Sequence, residues 1–225
     1  MRAYYAGHDK EYAKRRAAGN IGWDTAEDLH SALTDLNLLL ASDAAPKHGK
    51  LLELGCGAGD QSLWLAAQGY EVSGVDIAPN AIAWANEKAV ERGLRADFRV
   101  GDVLDLEGFD DASFNVVLDG HCFHCIIGED RARFLATAHR MLAPNGVFLV
   151  ATMCGDPIPE DALAKFDPVS RCTVSGDIAT RYFGKPESLL AEIRAAGFET
   201  LFASVQASEG PDDQDILLVQ TATAS

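Results

Sequence analysis

The sequence is poor in basic residues and contains no long apolar run. Its 225 residues include 19 Lys and Arg against 34 Asp and Glu, which gives a formal net charge of −15. Because binding to phosphates draws on clustered Lys and Arg, this balance argues against a nucleic-acid partner. The one short basic run, Lys14-Arg15-Arg16, is typical of a solvated helix face.

No apolar stretch has the length that a bilayer-spanning helix requires, and the N-terminus lacks the basic-then-apolar pattern of a signal peptide. We therefore expect a cytoplasmic protein with no membrane partner. Cysteine is also sparse, and an odd number of scattered cysteines does not match a secreted disulfide framework. We expect mostly free thiols at the five positions, Cys56, Cys122, Cys125, Cys154 and Cys172.

The composition is that of an ordinary globular protein, without repeats or low-complexity segments. Hydrophobic residues make up 48% of the chain and charged residues 24%, which argues against disorder. The length suits a single domain that spans residues 1–225. Only the last residues, Thr221 to Ser225, are expected to fray.

Strand-like and helix-like segments alternate from Lys50 onward, which predicts an α/β fold with a parallel sheet and helices on both faces. Two helical segments, Asp9–Ala18 and Thr25–Leu40, precede this region. The predicted strands are Lys50–Leu54, Glu71–Val75, Asp97–Val100, Phe114–Leu118, Val147–Thr152, Glu199–Val205 and Ile216–Gln220. The predicted helices after Lys50 are Asp60–Gln68, Pro79–Arg92, Asp130–Leu142 and Pro186–Ala196.

The segment Leu51–Asp60 is an apolar strand followed by glycines at alternate positions. Gly55, Gly57 and Gly59 predict a sharp turn at which the backbone closely approaches a nucleotide-like ligand. The loop lacks the last glycine of the G-x-G-x-x-G dinucleotide pattern and the Gly-Lys-Ser/Thr of a phosphate loop. Glu53, at the end of the strand, suits a ligand that presents an ammonium group.

This segment resembles motif I of class I S-adenosylmethionine (SAM)-dependent methyltransferases, E/D-x-G-x-G-x-G. The resemblance implies a Rossmann-like fold with a seven-stranded, mostly parallel sheet, helices on both faces and an N-terminal helical extension. We interpret residues 1–45 as an N-terminal helical cap and residues 46–225 as the SAM-binding core. SAM is the implied cofactor, and S-adenosylhomocysteine (SAH) is the implied product.

Three further motifs follow at the ends of successive predicted strands, and the resemblance assigns each a part of SAM. Val72–Asp76 ends in an acid, Gly101-Asp102-Val103 follows the next strand, and Phe114–Gly120 contains the fourth motif. The neighbouring residues Cys56 and Ile77 are also predicted to contact the cofactor. The implied contacts are Glu53, Gly55 and Gly57 at the methionine part, Asp76 at the ribose, Asp102 and Val103 at the adenine, and Asp119 and Gly120 at the sulfonium end.

Asp76 has a second interpretation. A carboxylate at this strand end accepts hydrogen bonds from both ribose hydroxyls of an adenosine. The same carboxylate also caps a helix that begins near Pro79. The two roles are compatible.

The fourth motif is followed by two histidines and two cysteines, His121-Cys122-Phe123-His124-Cys125. His124 falls on the histidine of a D-x-G-x-L-H-x-L pattern in relatives that methylate small molecules, and we predict His124 and His121 as catalytic candidates. Histidine suits proton transfer because its ordinary pKa lies near working pH.

A zinc site is an alternative for this cluster, although adjacent ligands strain such a site and no second C-x-x-C completes it. Buried packing is the third interpretation for the cysteines, and no metal is predicted.

The candidate substrate-binding residues lie outside the motifs. Tyr12 and Trp23 supply aromatic faces for an apolar acceptor, or they anchor the N-terminal helices on the domain. Arg171 and Arg181 fall in a predicted loop after Thr152, where a guanidinium either binds an acceptor carboxylate or phosphate or lies in solvent.

We expect a methyltransferase that acts on an O, N or S nucleophile of a small molecule by in-line displacement, as a monomer or homodimer. The short chain, with no basic face and no added recognition domain, favours a small acceptor over a macromolecule. The alternatives are a protein or RNA methyltransferase and a SAM-binding partner that has lost catalysis. The Asp119-Gly120-His121-Cys122 sequence lacks the Asn-Pro-Pro-aromatic form of the fourth motif that would favour a macromolecular acceptor.

Overall fold

The computed structural model describes residues 2–223. The strands are β1 (Arg2–Ala3), β2 (Gly49–Leu54), β3 (Tyr70–Asp76), β4 (Ala96–Val100), β5 (Phe114–Asp119), β6 (Leu142–Met153), β7 (Phe166–Asp167), β8 (Cys172–Ser175), β9 (Ile178–Tyr182), β10 (Phe198–Gln206) and β11 (Ile216–Thr223). The helices are α1 (Gly7–Ala17), α2 (Ala26–Leu40), α3 (Asp60–Ala67), α4 (Pro79–Glu91), α5 (Asp130–Met141), α6 (Glu160–Leu163) and α7 (Pro186–Ala195). A short 3₁₀ turn covers Phe123–Cys125.

The main sheet has seven strands in the order β10-β11-β6-β5-β2-β3-β4. Its central pairs are parallel, and only β11 runs antiparallel to its neighbours β6 and β10. This arrangement confirms the predicted seven-stranded, mostly parallel sheet. The strand order reverses between β2 and β5, and ligands of open α/β sheets bind in the crevice at the carboxyl ends of such strands.

Alternating side chains of β2 point to opposite faces of the sheet, as strand geometry requires. Leu51 lies in one apolar cluster with Leu36 and Leu39 of α2. Leu52 packs on the other face in a cluster that includes Phe134 of α5 and Ile193 of α7. Helices therefore cover both faces, and this prediction is confirmed.

The predicted strands and helices are all present, with small differences at their ends. β6 begins at Leu142 rather than at Val147. The residues before Val147 are part of the strand, and its register against β5 shifts there. β11 continues to Thr223, so the predicted fraying is wrong for Thr221–Thr223. Thr221 and Ala222 pair with β6, Thr223 pairs with Phe198 of β10, and Thr221 Oγ1 donates a hydrogen bond to Phe148 O. Ala224 and Ser225 lie outside the described residues.

A second, four-stranded sheet in the order β1-β9-β8-β7 was not predicted. The segment after Thr152, which we expected to be a loop, contains α6 and the strands β7, β8 and β9. These strands have two to five residues each, too few for an alternating pattern to stand out in the sequence.

The predicted N-terminal helical extension is present as α1 and α2, which pack in different places. β1 pairs in parallel with β9, and α1 follows it. α2 begins at a capping box between Thr25 and Asp28 and buries Leu36 and Leu39 against the main sheet, so this helix belongs to a layer of the core. Within residues 2–223, no helix has the length and apolar character needed to cross a membrane.

Arg131 of α5 holds the segment that follows β5. Its side chain donates to the carbonyl oxygens of Phe123 (2.9 Å) and Ile126 (3.1 Å) and forms an ion pair with Glu192 at 2.8 Å. The guanidinium also stacks on the Phe123 and Tyr182 rings, 3.9 and 4.2 Å from their centroids. This one side chain therefore joins α5, α7 and the 3₁₀ turn.

We predict that Arg131→Met lowers the free energy of unfolding by about 3 kcal/mol, because it removes one partner of a largely buried ion pair and leaves two carbonyls unpaired. Arg133→Met on the same helix is the matched control, since Arg133 is exposed, and its effect is expected to stay within about 0.5 kcal/mol. Urea unfolding of both variants measures the difference. Equal effects of the two substitutions would contradict the stabilising role of Arg131.

Candidate active site

A cavity of about 180 Å³ opens at the carboxyl ends of β2, β3 and β5. We call it the central cavity. Residues of the N-terminal segment and of β9 complete its walls. The predicted site residues that line it are Tyr12, Trp23, Glu53, Gly55, Cys56, Gly57, Asp76, Ile77, Asp102, Val103, Gly120, His121, His124 and Arg181.

The glycine loop between β2 and α3 forms the floor of the central cavity. Gly55, Gly57 and Gly59 have φ values of +72°, +52° and +77°, a region that only glycine occupies without strain. A side chain at Gly57 would also collide with the Tyr12 hydroxyl, since a Cβ there would lie 2.3 Å from the oxygen. The loop therefore needs glycine both for its path and for the close contact above it.

Asp76 fixes this loop from the end of β3. Its two carboxylate oxygens accept hydrogen bonds from the amides of Gly57 (2.9 Å) and Ala78 (2.8 Å). Burial raises the pKa of Asp76, and these two amide bonds oppose the increase. Asp76 thus contacts the residue before α4 and also lines the cavity, so its geometry is compatible with both sequence interpretations.

Glu53 lies deeper, at the end of β2, and is 2% exposed. Ser62 of α3 donates its hydroxyl to one carboxylate oxygen, and the other oxygen lies against Gly120, where a Cβ would be 2.6 Å away. Burial raises the pKa of Glu53 to about 8, and the bond from Ser62 opposes this shift. Without a ligand the side chain is therefore mainly protonated at neutral pH.

Asp102 and Val103 line the cavity beyond β4, where the Asp102 carboxylate accepts from the Leu104 amide at 2.9 Å. Ile77 lines the wall next to Asp76.

Asp119 differs from its expected position. Its carboxylate turns inward and accepts from the amides of Cys122 and Phe123, both at 2.8 Å, and it does not line the cavity. The prediction of a direct contact by its side chain is wrong in this geometry, because the turn after β5 uses the carboxylate to bind its own amides.

His121 and His124 follow this turn and line the central cavity. Their ring centroids are 6.4 Å apart, and His121 has a left-handed φ of +59°. His121 Nε2 and His124 Nδ1 are both buried and have no hydrogen-bond partner. Such unpaired ring nitrogens are costly unless a ligand engages them.

The histidines differ from the expected bases in one respect. Burial lowers the pKa of His121 to about 4 and that of His124 well below its usual value, with the positive charge of Arg181 adding to the effect at His124. The expectation that their pKa lies near working pH is therefore wrong. Both rings are neutral at pH 7 and are better hydrogen-bond acceptors than proton acceptors.

The cysteines beside these histidines are free thiols, as predicted. Burial raises the pKa of Cys122 well above its usual value and that of Cys125 to about 11, so both stay protonated at neutral pH. Within residues 2–223, no three His, Cys, Asp or Glu side chains are grouped as metal ligands would be.

Aromatic residues of the N-terminal segment cover the cavity. Tyr12 packs against Trp23 with ring centroids 5.1 Å apart, and His8 contacts Trp23 edge-on at 5.6 Å. Tyr5 donates its hydroxyl to Asp130 (3.0 Å) and accepts from the Ile127 amide (3.1 Å). These contacts fix the covering segment on the turn after β5.

The two candidate arginines have different positions. Arg181 lies on β9 rather than in a loop and lines the central cavity. Arg171 does not line the cavity. Its side chain donates to the carbonyls of Phe183 (2.6 Å) and Gly155 (2.5 Å) and pairs with Asp156 at 2.8 Å, so its predicted contact with substrate is wrong in this structure.

The charges of the cavity fit a cationic cofactor. Five carboxyl groups line it, and Arg181 is the one Arg or Lys among the lining residues. An acid-lined glycine loop suits the ammonium and sulfonium charges and the ribose hydroxyls of SAM, whereas a pyrophosphate would face repulsion. The acids that line the cavity are Asp24, Glu53, Asp60, Asp76 and Asp102.

Several lining residues were not among the predicted site residues. His8 and Asp24 come from the N-terminal segment, Gln61 from the start of α3, and Met153 from the end of β6. The N-terminal residues carry no motif. The position of Met153 at the end of a central strand was the one signal available, because parallel strands of this fold present their carboxyl ends to the ligand.

We predict that the ligand-free protein loses stability relative to Glu53→Gln as the pH rises from 5 to 8. A carboxyl group with a raised pKa binds more protons in the folded than in the unfolded state, so its contribution falls as pH rises from its unfolded pKa toward about 8. The expected change in the difference is about 3 kcal/mol over this range. Urea unfolding at several pH values measures it, and a difference that does not vary with pH would contradict an uncharged Glu53.

Comparisons with known proteins agree with this geometry. Residues 52–150 match the family model described as a methyltransferase domain. A demethylmenaquinone methyltransferase of Thermus thermophilus is 34% identical over 181 residues, which cover 72% of this chain and 79% of the relative. A 2-heptyl-1-hydroxyquinolin-4(1H)-one methyltransferase of Mycobacteroides abscessus is 34% identical over 115 residues, so this chain spans about half of that relative's length and the match covers 51% of this chain.

A solved structure shares the fold over the whole chain. The 1,6-didemethyltoxoflavin-N1-methyltransferase of Burkholderia thailandensis, with 1,6-didemethyltoxoflavin and SAH bound, superposes with a TM-score of 0.72 at 21% identity and covers 100% of this chain and 92% of that one. At this identity the likeness shows the fold, and the relative from T. thermophilus together with the family model identifies the enzyme class. The chain belongs to the class I SAM-dependent methyltransferases.

Proposed function

We propose that this enzyme transfers the methyl group of SAM to an O, N or S nucleophile of a small molecule. The observation that carries the proposal is the central cavity, which an acid-lined glycine loop shares with His121, His124 and Arg181 under an aromatic cover. The cover formed by Tyr12 and Trp23 would restrict access for a macromolecular chain. The names of the relatives from T. thermophilus and M. abscessus, which give small organic acceptors, agree with this proposal.

The residues of the loop and strand ends would hold the cofactor by complementary charge and shape. Asp76 would accept from the ribose hydroxyls, Asp102 and Val103 would contact the adenine, and Glu53 with the glycine loop would face the methionine part. Gly120, which has no side chain, leaves space beside Glu53 at the sulfonium end. SAM supplies an electrophilic methyl group on a positively charged sulfur.

The work of the protein is then mainly alignment and exclusion of water, since the leaving group is already activated. The free ring nitrogens of His121 and His124 would accept a hydrogen bond from the acceptor's O–H, N–H or S–H group and orient its lone pair toward the methyl group. Their lowered pKa favours orientation over complete proton removal. Tyr12 and Trp23 would hold an apolar part of the acceptor.

The test is an incubation of the purified protein with methyl-labelled SAM and two fractions of a source-cell extract, one desalted and macromolecular and one of small molecules. Label in the small-molecule fraction supports the proposal, and mass analysis of the product then gives the methylated atom. Label in protein or RNA would overturn it. Binding of SAM without transfer to either fraction would favour a non-catalytic partner.

We predict that Asp76→Ala weakens SAH binding by about 1–3 kcal/mol, because charge-assisted hydrogen bonds to the ligand and the support of the Gly57 amide are both lost. Asp76→Asn, which keeps one acceptor oxygen, should weaken binding less. Asp97→Ala, at an exposed ion pair on β4, is the control for the loss of a negative charge. Titration calorimetry gives the affinities, and an unchanged affinity in folded Asp76→Ala would rule out the ribose role.

We predict that His124→Ala lowers turnover about 100-fold while SAH affinity stays nearly normal, because the residue faces the acceptor rather than the cofactor. His30→Ala, at an exposed position of α2, is the control and should leave both unchanged. The measurement is single-turnover transfer on the acceptor found in the labelling experiment. Full activity of His124→Ala would assign the residue to packing alone.

A further inference from the structure

Arg181 is a charged side chain with an unused hydrogen-bonding group inside the central cavity. It lies on β9, and its Nε is buried without a hydrogen-bond partner. Within residues 2–223, no carboxylate lies at ion-pair distance from it, whereas Arg131 and Arg171 each have a carboxylate partner. A guanidinium is rarely left in this state, because burying a charge or a donor without a partner costs free energy.

The groups around Arg181 show where its charge acts. β9 packs against the 3₁₀ turn of Phe123–Cys125, so Arg181 lies on the histidine side of the cavity. Its charge lowers the pKa of His124 and opposes the increase at Cys125. Asp24 also lines the cavity, and burial raises its pKa to about 6, although the charges of Arg15 and, to a smaller extent, Arg181 oppose this increase. Asp24 is therefore an incomplete counterion for Arg181.

The two histidines do not contribute positive charge to the cavity. Each has a buried ring nitrogen without a hydrogen-bond partner, and neither supplies a positive charge at pH 7. Arg181 is then the one Arg or Lys that lines the cavity, on a strand that packs against the 3₁₀ turn of His124. An acceptor at the two neutral rings would therefore meet one positive charge, that of Arg181.

We propose that the acceptor is a small acid and that Arg181 binds its anionic oxygen, a carboxylate or an enolate, while the methylated group lies at His121 and His124. The inference rests on the proposed small-molecule methyl transfer and narrows its substrate class. Arg181 acts here as a specificity-determining residue. A bidentate guanidinium–oxyanion contact would satisfy its free donors and place the acceptor in one orientation.

Benzoate and benzamide are suitable probes, since they share a planar ring and differ in the anionic oxygen. Titration calorimetry on the SAH-loaded protein compares their affinities in wild type, Arg181→Gln and Arg181→Lys. We expect wild type to prefer benzoate by about 10- to 100-fold, the contribution of a charge-assisted contact. Arg181→Gln should lose this preference. Arg181→Lys should keep part of it, since lysine retains the positive charge but not the paired N–H donors of the guanidinium.

Arg95→Gln is the matched control, because Arg95 is exposed, lies outside the cavity and carries the same charge. It should leave the preference for benzoate unchanged. SAH affinity within about twofold of wild type shows that each variant is folded. The proposal is overturned if wild type binds benzoate no more tightly than benzamide, including the case in which neither binds, or if Arg181→Gln keeps the preference.

The outcome is separate from that of the labelling experiment. Absence of methyl transfer to small molecules would remove the proposed function, whereas the probe experiment measures binding to the SAH-loaded protein alone. If label does enter a small molecule, a neutral product without an acidic group would also contradict the role of Arg181.

Discussion

The site depends on carboxylates at two strand ends that bind backbone amides. Asp76 at the end of β3 accepts from Gly57 and Ala78, and Asp119 at the end of β5 accepts from Cys122 and Phe123. Burial raises the pKa of both groups, to about 7 for Asp119, and the amide hydrogen bonds oppose this increase because they favour the charged form. The glycine loop and the histidine turn are therefore both fixed relative to the main sheet before any ligand binds.

The same burial explains the electrostatics of the site. Glu53 is held mainly protonated, and its acidity becomes available only when a cation approaches and makes the charged form favourable. The histidines on the other side are held neutral for the corresponding reason. A cationic cofactor would supply the positive charge that Glu53 lacks, and an anionic acceptor would supply the negative charge that Arg181 lacks.

The sequence predicts the parts of this structure that depend on local pattern. Alternating apolar residues and glycines gave the main sheet, its helices and the loop of Gly55 to Gly59, since these features follow from spacing. It did not predict the inward turn of Asp119, which is decided by two amides of the following residues. It could not separate Arg171 from Arg181 either, because their roles depend on the pairing of β8 and β9.

The N-terminal segment joins the two sides of the cavity, although it carries no motif. β1 pairs with β9, the strand of Arg181, while Tyr12 of α1 lies on Gly57 and Tyr5 binds the turn after β5. Changes in this segment or in β9 would therefore reshape the acceptor wall and leave the carboxylates of the cofactor side in place. A fold that keeps one cofactor site and varies its covering segments can serve many acceptors, which is why the motifs identify the cofactor and the acceptor has to be inferred from Arg181 and its neighbours.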